Sequence, residues 1–209
     1  MPIHEPMTFA TDILLGAVAI GLALPLLGPS TRGHRARRWW GWALALTGLA
    51  AWTGGTWHGF GPDLAPAAST VLWKTTLFAI GAATAAMVCG AILAALRPPA
   101  STLLLALVAV KLAFYLAWMS RHDDFRYVIY DYLPAMGLVL CLQILTLARG
   151  RARAAWLITA GILLSFAAAA IQRSEATYAA YFNANDLYHL VQIAALVLLF
   201  FGARRLEDA

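Results

Sequence analysis

The sequence predicts an all-α integral membrane protein of seven transmembrane helices, with its N-terminus outside and its C-terminus cytoplasmic. Three observations carry this expectation. Runs of about 20 apolar residues, each able to cross ~30 Å of hydrocarbon, recur along the whole 209-residue chain. Hydrophobic residues make up 62% and charged residues 12%, a balance that excludes an ordinary soluble domain. The basic residues, finally, concentrate in alternate connections between the apolar runs.

The first span covers residues 8–28 and is entered through Glu5, Thr8 and Asp12, whose i, i+3, i+7 spacing puts them on one helix face. The second, 39–60, closes on the stretch from Trp52 to His58, where Gly54 and Gly55 permit close approach of a neighbour. The third, 69–96, carries Lys74 about one turn from its start, and Pro98 and Pro99 break the chain after it. The fourth, 101–120, has Lys111 near its middle. The fifth, 125–148, holds Asp131 behind Tyr127 and Tyr130, and Pro134 should perturb the helix there. The sixth covers 153–172. The seventh, 183–203, opens on Asn185, Asp186, His189 and Gln192. At 100° per residue Asn185, His189 and Gln192 form one polar stripe, and the i+3 spacing lets Asp186 reach His189. Cys89 and Cys141 lie inside apolar runs and read as small buried hydrophobes. Residues 1–209 therefore form a single membrane domain.

Orientation follows from charge. Arg32, Arg35, Arg37, Arg38, Arg97, Arg149, Arg151, Arg153, Arg204 and Arg205 all fall on one side if there are seven spans, against Arg121, Arg126 and Arg173 on the other. The positive-inside rule makes the arginine-rich side cytoplasmic. The formal net charge of +5 is thus an orientation signal, not a nucleic-acid footprint. The expected location is a cell membrane, with membrane lipid and a lipid or small-molecule ligand as partners.

With that topology the unusual residues gather in the outer layer: Glu5, Thr8, Asp12, His58, Lys74, Asp131 and the stripe of the seventh span, with Tyr130 beside them and Lys111 able to snorkel toward them. Such a polar chamber supports two chemistries. Two histidines with carboxylates suit a zinc ion that activates water: His58 and His189 would hold the metal, and Asp131 or Asp186 would be third ligand or general base. A metal-free site would instead use Lys74 as a cation, base or nucleophile balanced by buried carboxylates.

A histidine closing span two and a polar start to span seven that carries His189 resemble the CREST superfamily of seven-span membrane hydrolases, which includes alkaline ceramidases, PAQR receptors and Per1-like proteins. The signature of that group is a serine and histidine in span two, an aspartate opening span three and two histidines four apart in span seven. His58 matches the span-two histidine and His189 the second histidine of span seven. Asn185 stands where the first would be, Lys74 lies in the region of the aspartate, and Thr53 or Thr56 stands for the serine. The resemblance implies zinc-dependent hydrolysis of a lipid amide or ester in a bacterial inner membrane. The residues by themselves leave open a non-catalytic, receptor-like binding protein without metal. A proton or solute carrier fits less well, because the inner halves of the spans lack polar residues.

Overall fold

The computed structural model of the chain describes residues 2–174 and 176–209. It is built on seven long helices: α1 (Pro6–Leu27), α2 (Arg35–Phe60), α3 (Pro66–Ala95), α4 (Ala100–Arg121), α5 (Arg126–Ala148), α6 (Ala152–Arg173) and α7 (Ala184–Ala203). Every expected span matches a helix to within four residues at each end. Pro6 and Pro66 open α1 and α3 in the first turn, where a missing N–H costs nothing. Gly150, at φ +79°, turns the chain between α5 and α6 in a conformation other residues resist. α5 continues as one helix through Pro134. An antiparallel hairpin of β1 (Thr177–Ala179) and β2 (Phe182–Asn183), which the hydropathy pattern does not announce, joins α6 to α7.

Six of the helices are long and apolar enough to cross a membrane. The seventh, α2, is 26 residues long but carries three arginines and five tryptophans, which lower its apolarity. The lipid-type character is plainest on α4, where Leu103, Leu107, Val110, Phe114 and Trp118 are between 41% and 70% exposed. A continuous apolar face of that size belongs against hydrocarbon.

The helices do not form a simple serpentine. α1 packs on α2 and α7, α2 on α3, α3 on α5, α5 on α6, and α6 on α7, which closes a ring of six. α4 stands outside this ring against α3. A small cluster of Leu77, Tyr115, Met119 and Val128 fixes it there, and the Tyr115 hydroxyl donates to the Leu77 carbonyl at 2.9 Å.

Packing is uneven along the ring axis. At the arginine-rich end the interior is filled by side chains such as Leu26, Trp40, Leu44, Ile92, Ile158 and Leu199. Close packing of this kind, rather than exclusion of water, holds helices together in lipid. The C-terminal tail seals the same end. Asp208 accepts from the α2 backbone at Arg35 (3.0 Å) and Ala36 (2.8 Å), the Ala209 N–H donates to Leu93, and Arg151 reaches the Glu207 carboxylate at 3.2 Å. The opposite, hairpin end of the ring is hollow. Of the two cysteines, Cys89 is buried as expected, whereas Cys141 is exposed on the outer face of α5.

Candidate functional site

The hollow is a cavity of about 870 Å³ walled by all six ring helices. Its α7 lining runs from Ala184 to Leu199, so it reaches roughly 22 Å along the ring at 1.5 Å per residue. The end near the hairpin is polar, with His58, Arg173 and Asn185. Asp12, Ser165, His189 and Gln192 follow within the next turns. The floor is apolar, with Leu15, Ala83, Met87 and Leu199. Thr47 and Thr84 also reach it, but each hydroxyl donates to a carbonyl of its own helix, at Ala43 and Ile80.

The start of α7 is fixed first by its own sequence. Asn183 caps the helix, its side-chain oxygen accepting from the N–H groups of Asn185 (2.8 Å) and Asp186 (3.3 Å), while Asp186 accepts from the Asn183 N–H at 2.8 Å. This reciprocal capping box satisfies donors that the first turn would otherwise leave orphaned. The other Asp186 oxygen accepts from Thr8 at 2.8 Å, so α1 is tied to α7 one turn from the hairpin.

One turn deeper, His189 uses both ring nitrogens. Nε2 lies 3.1 Å from Asp12 Oδ1, and Nδ1 lies 2.9 Å from the Thr11 hydroxyl. Asp12 is only 5% exposed and fits because α2 presents Gly55 to it: a Cβ at Gly55 would sit 2.6 Å from that of Asp12. Gly54 faces Thr76 of α3 in the same way, and Thr76 bonds Thr53 at 2.8 Å. Thr11 Oγ1 also lies within bonding distance of the Met7 and Thr8 carbonyls. When its single proton goes to one of them, His189 Nδ1–H must donate to Thr11. Nε2 and Asp12 then share one proton and the pair is neutral overall, the arrangement a dry helix bundle favours.

The sequence-expected partner of His189 was Asp186; the structure corrects this to Asp12, because the capping box and Thr8 already hold Asp186. Lys74 is a second correction. It does not line the cavity, and its ammonium donates to the carbonyls of Met119 (2.7 Å) and His122 (2.6 Å), closing the C-terminal end of α4. Lys111 and Asp131 form an ion pair at 2.6 Å between α4 and α5, outside the cavity lining, and among the described residues Asp131 Oδ2 has no hydrogen-bond partner. Tyr130 is 66% exposed and turned away from the ring. Glu5 meets His58 Nδ1 at 3.1 Å at the rim.

Asn185 and Gln192 do line the cavity. Gln172 of α6 donates to Asn185 at 2.8 Å, and Gln192 donates to Ser165 at 3.1 Å. Ser165 passes its own proton to the Gly161 carbonyl at 3.0 Å. Among the described residues the second polar atom of each amide, Asn185 Nδ2 and Gln192 Oε1, has no protein partner, leaving one donor and one acceptor for a guest. Sequence inspection did not single out Thr11, Ser165 or Gln172. The antiparallel run of spans six and seven would have signalled Gln172, since it puts the end of one beside the start of the other.

Among the described residues His58 and His189 do not converge on a common point with a carboxylate, as a zinc ion would need. Among the described residues no three His, Cys, Asp or Glu side chains converge as metal ligands. His58 and His189 are engaged with separate carboxylates, and His189 has no ring nitrogen left. The sequence profile of DUF6962, a family of unknown function, matches residues 7–208. The chain belongs to that family. The DUF6962 match takes in all but the first residue of α1, all of α2–α7 and the Asp12–His189 pair, and leaves out Glu5. Comparison with curated proteins and with solved structures found no match.

Proposed function

We propose that this chain is a seven-span membrane protein that binds a lipid-like amphiphile inside its helix ring, with the hairpin end outside and the arginine-rich end cytoplasmic. One observation carries the reading: a long cavity that is polar at the hairpin end and apolar at its floor. Its volume falls in the range of pockets that enclose a drug-sized ligand. On the wall His189 is paired with Asp12 and His58 with Glu5, and Arg173 stands at the polar end of the lining. A polar head would meet the free donor and acceptor of Asn185 and Gln192, and its tail would lie against Ala83, Met87 and Leu199. Leu133 of α5 and Ala170 of α6 both line the cavity and reach the outer surface, which favours entry from the bilayer between those helices. The orientation rests on the ten arginines gathered at one end.

The test is extraction and mass spectrometry of amphiphiles that remain with the protein after exchange into detergent. A discrete species should co-purify with wild type and be lost from Ala83→Phe, which fills the floor. Recovery of bulk lipid alone, or equal retention by the filled variant, sinks the reading.

The Asp12–His189 pair on the cavity wall favours a second reading, hydrolysis of a lipid amide or ester as the CREST resemblance implies. The pair would act as general acid and base together: the proton it shares passes to the leaving amine or alcohol while Asp12 takes the proton of a water that adds to the acyl carbon, so the pair ends as neutral as it began. Turnover of ceramide or ester substrates by wild type, abolished in Asp12→Asn, would establish it. Equal rates in the two proteins end it.

A further inference from the structure

A second groove, separate from the cavity, lies at the arginine-rich end where the start of α6 meets the end of α7. It has a volume of about 690 Å³ and is lined by Arg153, Trp156, Leu157, Phe201 and Arg205. Arg153, Trp156 and Leu157 fall at i, i+3, i+4 on one face of α6, Phe201 lies on the last turn of α7, and Arg205 lies in the turn two residues past its end. Trp156 is 63% exposed and Phe201 40%, an aromatic floor with nothing of the chain over it. The two arginines stand at its polar edge.

What this groove lacks, among the described residues, is a negative counter-charge. The two acids of the tail are already committed, Glu207 to Arg151 and Asp208 to the α2 backbone. Among the described residues neither Arg153 nor Arg205 has a carboxylate partner; Arg205 donates to the Phe201 carbonyl at 2.6 Å, which leaves its other guanidinium donors available. Arg153 also sits in the first turn of α6, where the helix dipole is itself positive. Two guanidiniums and a helix start therefore line one groove together with an apolar surface, and among the described residues no carboxylate pairs with them.

We infer that this groove holds an anionic phospholipid of the arginine-side leaflet, its phosphate between Arg153 and Arg205 and an acyl chain along Trp156, Leu157 and Phe201. Arginine forks match phosphate oxygens two at a time, and the aromatic floor suits the chain beneath. The site is independent of the ligand cavity: it lies at the other end of the bundle and shares no lining residue with it.

Native mass spectrometry of the full chain in detergent, titrated with phosphatidylglycerol or phosphatidylcholine, tests this. Phosphatidylglycerol should bind preferentially, and Arg153→Gln with Arg205→Gln should cut that preference about fivefold per arginine, or about 25-fold together. Arg149→Gln, which removes one charge from the same end but not from the groove, should leave it unchanged. Trp156→Ala should weaken both lipids alike. Equal binding of the two lipids by wild type overturns the inference. So does an equal loss in Arg149→Gln, which would mean bulk charge alone. Competition by millimolar inorganic phosphate as effective as by the lipid would reduce the groove to a simple anion site. Dimers lost in Trp156→Ala, without lipid preference, would make it a contact between copies of this chain.

Discussion

Replacing His189 with alanine would leave the Asp12 carboxyl buried without its partner, which typically costs ~3–5 kcal/mol. The expected result is a large fall in the thermal unfolding midpoint of the detergent-solubilised protein. Asp12→Asn keeps a hydrogen-bonding group in place and should cost about 1 kcal/mol. In the double variant the penalties should fall well short of additive, because the two side chains share one interaction. A strictly additive cycle would mean that the pair is not coupled. At this scale the sequence was half legible. The polar faces of spans one and seven were visible as periodicities, and Thr8, Asp12 and His189 do face inward. The pairing was not visible, because Thr8 and Asp186 are 178 positions apart and hydropathy carries no information about which face meets which. The Asn183–Asp186 spacing was itself a readable capping signal, and it should have removed Asp186 from the candidates for His189.

Lys74 acts on an element. Lys74→Met should orphan two carbonyls at the end of α4 and cost about 1–3 kcal/mol, seen as faster amide exchange near Met119 and His122. Cavity ligand retention should be unchanged; loss of ligand would return Lys74 to the site. The Lys111–Asp131 pair makes a sharper case. Lys111→Met alone should destabilise, since it leaves a buried aspartate unpaired, while Lys111→Met with Asp131→Leu should be at least as stable as wild type. A double variant weaker than either single one would mean that the pair specifies how α4 docks. Most helix ends were legible because the apolar runs are bounded by Pro, Gly or Arg, and the start of α7 by its Asn183 cap. The hairpin was not, because strands of two and three residues are too short to show a period of two. Lysines on neighbouring helices at similar depth also look alike in sequence, and only the packing separates a helix cap from an ion pair.

For the whole molecule, orientation is the accessible test. In a Cys89→Ala, Cys141→Ser background, Ala180→Cys in the hairpin should react with an impermeant maleimide on intact spheroplasts, and Arg149→Cys only after lysis. The reverse pattern would invert the assignment. The position of α4 outside the ring has a chemical signature that could be read in advance. The most buried stretch of α3 is dominated by alanine and glycine from Gly81 to Ala95, which suits close approach on several sides, whereas α4 carries Leu, Val and Phe around its circumference, which suits lipid. The closure of the ring by α1 and α7 also bears on how the protein is made. α1 leaves the ribosome carrying Asp12 and Thr8 well before their partners arrive on α7. At 5–20 residues per second that interval is roughly 9–36 s. Throughout it a nascent α1 holds a carboxyl with no histidine to meet it, so a chain arrested before α7 exposes an uncompensated acid that membrane quality control can recognise.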